Sequence, residues 1–190
     1  MGREANAGAG SDRMFCLQLH PANGMISLPA ARVPAEADLQ AGRKEIMSDL
    51  ARFREGHKRD YETALREVKS GRKRSHWMWY IFPQIHGLGF SGTSQYYAIR
   101  SLQEAGDFLA DPVLGAHIRT LCEALLSLDT NDPWQVFGSP DDKKLSSSMT
   151  LFALADPKDP LFQKVLDKYY GGERDERTIR ILREDGEEIA

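Results

Sequence analysis

From Ile46 onward the apolar positions fall into step. Ile46, Leu50, Phe53, His57, Tyr61, Ala64 and Val68 recur at three- and four-residue intervals, which places them on one face of an amphipathic helix. Gly71 is suited to end it, because glycine readily takes the left-handed conformation that follows a helix. Downstream, Ser75 is read as the cap of a short turn through "HWMWYIF", which Pro83 must stop. "QIHGLGFSGTS" reads as a loop, and Ser94 as the cap of one continuous helix, "QYYAIRSLQEAGDFLA". Asp111-Pro112, Asp132-Pro133 and Asp159-Pro160 each set a capping carboxylate before a proline at the first helical position. Asp141 or Asp142 is read as the cap of "KKLSSSMTLFALA", and Asp175 with Thr178 as the start of "ERTIRILRE". The pattern predicts an all-α fold, or a mostly α one with minor strands, built as a compact single domain of about seven short helices.

That domain is expected over residues 46–185, with a tail at 186–190. Residues 1–45 scatter glycine, alanine and proline without a sustained period and are expected to form a flexible N-terminal extension. The short apolar run "MFCLQL" within it has no evident strand partner. Of the 190 residues, 41% are apolar and 28% charged, the ordinary balance of a globular protein. The formal charge of −3 excludes a chain that binds polyanions over its whole surface. Cys16 falls in the extension and Cys122 in an apolar helical pattern, so no disulfide framework is expected and a reducing cytoplasm fits. No run approaches the length of a membrane span and no signal-like segment opens the chain, so no membrane partner is expected.

Candidate chemistry concentrates in "RKRSHWMWYIFPQIHGLGFSGTSQYY", residues 72–97. The histidines lack metal-ligand spacing and the cysteines offer no pair, so neither a metal nor a cofactor is implied. His57 lies on the apolar helix face and reads as a buried histidine with satisfied ring nitrogens. Trp77 and Trp79 cannot face the same way, so one is expected in the core and one at a pocket. Gln84 offers an amide donor and acceptor at the mouth of the loop. Gly87 and Gly89 let the backbone approach a ligand, and a helix start at Ser94 would present free N–H groups to an anion. Arg72, Lys73 and Arg74 read as charges at the end of the first helix, or as a patch for RNA beside the tryptophans. Serines 146–148 inside a helix suggest close packing or a polar ligand, because serine is a poor interior helix residue.

These stretches also carry a resemblance. "GRKRSHWMWYIFPQIHGLGF", "DDKKLSSSMTLF" and "YYGGERDERTIRIL" are similar to the bacterial family called domain of unknown function 1810, over roughly residues 47–183. Some of its members carry the name calpastatin. The family is small and largely helical, without an assigned activity. Ser94, Gln95, Tyr96 and Tyr97 more weakly resemble the Ser-Glu-His-Tyr motif of the NADAR superfamily, which is linked to ADP-ribose and N-glycosidic bond hydrolysis. Gln95 stands where that motif has a carboxylate, and an amide cannot act as a general base.

The combined expectation is a pocket for a nucleotide-like or ADP-ribose-like ligand. Its walls would be His76, Trp77, Trp79, Gln84, Gly87, Gly89, Ser94, Gln95 and Tyr97, with Lys144, Ser147 and Ser148 from the serine-rich helix. A catalytic carboxylate would be Glu104, Asp142 or Asp175. The alternatives are a non-catalytic binding or interaction module and an RNA-contacting protein that uses Arg72, Lys73 and Arg74.

Overall fold

Periodicity and capping resolve into nine helices among the described residues, 50–189, of a computed structural model. They are α1 (Ala51–Lys69), α2 (Met78–Ile81), α3 (Gly92–Tyr96), α4 (Leu102–Ala110), α5 (Leu114–Leu126), α6 (Pro133–Phe137), α7 (Asp141–Ala155), α8 (Leu161–Tyr170) and α9 (Glu176–Glu184). Every described residue belongs to one unit, Ala35–Ala190. The extension expected at residues 1–45 lies outside the described residues. No described helix is long and apolar enough to cross a membrane.

Nine helices exceed the expected seven or so for two reasons. The one-turn piece α2 is a separate element, and the helix expected to run unbroken from Ser94 is two helices. Ser91, not Ser94, caps α3: its Oγ accepts the Ser94 N–H at 3.1 Å. Ser101 then caps α4 by accepting the Glu104 N–H at 3.1 Å. Between them Ile99 is fully buried and pairs with Ile85 in an isolated parallel bridge. Ile99 N–H donates to Gln84 O and His86 N–H donates to Ile99 O, both at 2.8 Å. Burying Ile99 and capping at Ser101 together outweigh the helical period that runs through the segment.

Two other expected caps differ. Ser75 does not cap α2; its hydroxyl donates to Glu67 Oε1 at 2.5 Å. Neither Asp141 nor Asp142 caps α7, because Pro140 holds that position and the two aspartates occupy the first turn. There they suit the positive end of the helix dipole. Of the three Asp-Pro pairs only Asp132-Pro133 sets its aspartate at the cap and its proline at the first helical position. α5 begins at Leu114 and α8 at Leu161, so Pro112 and Pro160 precede their helices, although all three aspartates accept from N–H groups there. Asp111 accepts from Val113 and Leu114 N–H, Asp132 from Trp134 N–H, and Asp159 from Leu161 N–H.

α7 is the hub. It packs against α4, α6, α8 and α9, and every residue from Ser147 to Leu154 is buried. A helix buried all round needs side chains small enough to admit its neighbours, which accounts for the serines. α1 packs on α5 and α2. Arg52 joins it to α4 through a buried ion pair with Glu104 at 2.5 Å.

His57 is buried at 1% exposure, and both ring nitrogens are bonded. A carbonyl only accepts, so the Nε2–H donates to Tyr80 O at 2.9 Å. Nδ1 then accepts from His117 Nδ1–H at 3.1 Å. Burial lowers the His57 pKa from 6.5 to about 4. The unfolded chain therefore binds this proton at higher pH than the folded chain does. Stability is fully present above pH 6.5 and declines as the pH falls toward 4. The expected loss from this group is about 3 kcal/mol. Urea unfolding at pH 7.5 and 4.5, with NMR titration of the His57 ring, checks it; a ring that titrates at 6.5 contradicts it.

Candidate functional site

The loop leaving α1 is organised by one carboxylate. Glu67 Oε2 accepts from Arg74 N–H at 2.8 Å, Ser75 N–H at 3.0 Å and Trp77 Nε1–H at 2.9 Å, while Oε1 takes the Ser75 hydroxyl. Burial pushes its pKa up, but these donors outweigh it and hold it down at about 2. With its indole bonded here, Trp77 is fully buried and belongs to the core. Trp79 is half-buried, with Lys144 Nζ 4.8 Å from its ring centroid.

Lys144 lies at the edge of a cleft of about 450 Å³, within the size range of small-molecule sites. Gln84, Leu88, Gly89 and Ser94 form one wall. Pro140, Lys143, Lys144, Ser146 and Ser147 of the α7 start form another. Tyr170 closes α8 against it, and Asp175 and Arg177 come from the start of α9.

Asp175 fastens this site. As the α9 cap, its Oδ2 accepts from Thr178 N–H at 3.0 Å and the Thr178 hydroxyl at 2.6 Å. The Ser147 hydroxyl lies 3.0 Å from the same oxygen and 3.1 Å from Lys143 O; the carboxylate is the stronger acceptor. Asp175 N–H donates to Thr150 Oγ1 at 2.9 Å. One residue thus caps α9 and bolts it to α7, while Oδ1 has no hydrogen-bond partner among the described residues.

The cations in and beside the cleft are of two kinds. Lys144 Nζ is 2.7 Å from Asp141 Oδ1, and Lys73 Nζ is 2.7 Å from Asp141 Oδ2. Burial raises the Asp141 pKa, and the two lysines more than reverse that. Lys143 and Arg177 are exposed and have no ion-pair partner among the described residues. Tyr170 donates its hydroxyl to Asp142 O at 2.5 Å. Burial pushes that phenol far above its ordinary pKa, so it remains a donor.

Of the expected site residues, the cleft gathers Gln84, Gly89, Ser94, Lys144, Ser147 and Asp175, with Trp79 beneath Lys144. The others lie elsewhere. His76 is exposed, and Gly87 packs toward Ile181. Tyr97 leans on Tyr80, Phe53 and Tyr96. Gln95 directs its amide to Phe90 O at 3.4 Å. Glu104 is committed to Arg52 and to Arg100 N–H. Asp142 and Ser148 do not line the cleft; Asp142 Oδ1 and Ser148 Oγ are buried without hydrogen-bond partners among the described residues. The helix start expected at Ser94 lies at Ser91 instead: α3 is one turn long and Ser91 takes the Ser94 N–H, so that N–H is not open to an anion. Gly89 serves the packing: a Cβ there would lie 2.6 Å from the Ser94 side chain.

Sequence reasoning missed Leu88, Pro140, Lys143, Tyr170 and Arg177. Two carried a usable signal. Lys143 stands four residues before Ser147, on the same helix face. Arg177 puts a positive charge in the first turn of α9, against the helix dipole. No described group of three or more His, Cys, Asp or Glu side chains is placed to hold a metal ion.

Residues 47–182 match the family described as protein of unknown function, DUF1810. The chain is also similar to the conserved hypothetical protein Rv1873 from Mycobacterium tuberculosis, known from a crystal structure at 1.38 Å. The two share 41% identity over 71% of this chain and 96% of that one, with a TM-score of 0.70. No curated protein matches the chain.

The double role of Asp175 sets an expected outcome. Asp175→Ala removes the cap and leaves Ser147 and Thr178 without their acceptor, at a cost of about 1–2 kcal/mol. Asp175→Asn keeps a capping oxygen and stays within several tenths of a kcal/mol of wild type. Urea unfolding separates the two; equal losses contradict the capping role.

Proposed function

The chain belongs to the DUF1810 family of proteins of unknown function, so its activity is read from the cleft, and we propose that the cleft binds a phosphorylated, nucleotide-like small molecule of the ADP-ribose type. The observation that carries this reading is the pairing of two uncommitted cations, Lys143 and Arg177, with Asp175, the one carboxylate lining the cleft. Phosphate takes the guanidinium of Arg177 and the ammonium of Lys143 through charge-assisted hydrogen bonds. Asp175 Oδ1 accepts from sugar hydroxyls, and the Gln84 amide offers a donor and an acceptor beside it.

In the catalytic form of this reading, an N-glycosidic bond is hydrolysed. The C1′–N bond breaks and its electron pair leaves with the base. The charge of Asp175 stabilises the sugar cation, water adds to C1′, and its proton passes to solvent. The resemblance to the NADAR superfamily would put the carboxylate at position 95, but Gln95 is outside the cleft and Asp175 takes that role here.

A binding module without chemistry is the second reading. It is favoured by the bonds of Asp175, whose capping of α9 explains the residue without catalysis. RNA contact through residues 72–74 is less well supported. Lys73, with its side chain 8% exposed, is committed to Asp141, which leaves only Arg72 and Arg74 exposed.

Thermal unfolding with millimolar ADP-ribose, NAD and common nucleotides tests the proposal. A ligand that binds only the folded state raises the melting temperature through RT ln(1 + [L]/Kd). Lys143→Gln and Arg177→Gln are each expected to weaken binding about tenfold, the scale of a hydrogen bond to a charged group. Asp175→Asn is expected to keep binding and abolish base release, followed by chromatography. No base release by the wild type identifies the binding module, release unchanged in Asp175→Asn removes the catalytic role of Asp175, and no melting shift with any of these ligands overturns the proposal.

A further inference from the structure

The segment between Ile85 and Ile99 is a loop with a clamped base. The bridge between those two buried residues holds its ends together, and no residue between them is buried. Such loops pack on themselves and are often functional. This one is closed internally: Gly89 fits so tightly on Ser94 that no side chain has room, and Ser91 bonds to Ser94. Its flanks are held to the body: His86 Nε2 pairs with Asp185 at 2.7 Å, Arg52 donates to Ala98 O at 3.0 Å, and Tyr97 packs on Phe53 and Tyr80. The tip around Phe90 is the part of this compact flap without such ties.

Leu88, Gly89 and Ser94 place the flap on the rim of the cleft. Phe90, one residue or about 3.8 Å along the chain from Gly89, is 84% exposed. An aromatic ring held in water beside a cleft loses nothing in fold stability when it moves, and gains by covering an apolar ligand surface. The other rings near the cleft are differently disposed. Trp77 is in the core and Lys144 covers Trp79. Tyr170 lines the cleft, fixed by its hydroxyl bond to Asp142 O at 2.5 Å.

We infer that the tip of this flap, around Phe90, closes on the cleft and that Phe90 and Tyr170 then clamp the planar ring of the ligand between them. The inference rests on the proposed ligand cleft and adds a requirement to it: the ligand carries a nucleobase or similar flat ring as well as a phosphate. Tyr170 is the fixed face and Phe90 the mobile one.

The test compares two probes that share a ribose and a phosphate, ADP-ribose and ribose 5-phosphate, by calorimetry on the full chain. Phe90→Ala is expected to weaken ADP-ribose about tenfold, within the range of base–aromatic stacking, and to leave ribose 5-phosphate unchanged. Phe90→Trp is expected to keep the affinity and to show an added emission that ADP-ribose quenches and ribose 5-phosphate does not. Because Phe90 is so exposed, its loss does not threaten folding. If ribose 5-phosphate binds wild type as tightly as ADP-ribose, or if Phe90→Ala keeps full ADP-ribose affinity, the clamp is overturned and the phosphate cleft stands. If neither probe binds wild type, the reading of the cleft and the clamp are overturned together.

Discussion

A helix without a solvent face governs this structure. From Ser147 to Leu154 no residue of α7 is exposed, and four other helices pack around it. Leu145, Met149, Leu151 and Phe152 supply the apolar contacts. Ser147, Ser148 and Thr150 are small enough for neighbours to approach on the remaining directions. A buried hydroxyl needs a partner, and for two of these three the partner is Asp175. The packing of α7 thus draws the start of α9, with its carboxylate, against the α7 N-terminal half. The same approach brings Lys143, on α7, and Arg177, on α9, to one cleft.

The charge pattern follows from that arrangement. Asp141 takes up two lysines, Lys73 and Lys144, and so fixes the loop after α1 to the start of α7. Glu67 fixes the same loop from the other side through Trp77, Ser75 and Arg74. Once these pairs are made, Lys143 and Arg177 remain as cations at the cleft with no structural task. Arg177 opposes the dipole of its own helix. A charge kept where folding does not require it is a reason to look for an anionic ligand.

Much of the fold was legible in the sequence because caps are local. Asp111, Asp132, Asp159 and Asp175 bond to N–H groups two or three residues away, so spacing alone identifies them. The break between α3 and α4 was not legible, since it depends on Ile99 finding Ile85 and the core. The candidate site was read in part for the same reason. Gln84, Gly89 and Ser94 sit in a conspicuous loop, and Ser147 and Asp175 in conspicuous helix positions. That they meet is a consequence of α7 packing, which no local pattern states. Trp77 looked like a pocket wall because tryptophan suits either role; its bond to Glu67, ten residues upstream, decides for the core.

The account centres on the cleft between the α7 and α9 starts as a phosphate-binding site. A crystal structure of the protein soaked with ADP-ribose tests this most directly. The account predicts a phosphate group between the Lys143 ammonium and the Arg177 guanidinium, with a sugar hydroxyl on Asp175 Oδ1. Ligand bound at another surface, or an empty cleft at saturating concentration, would contradict it.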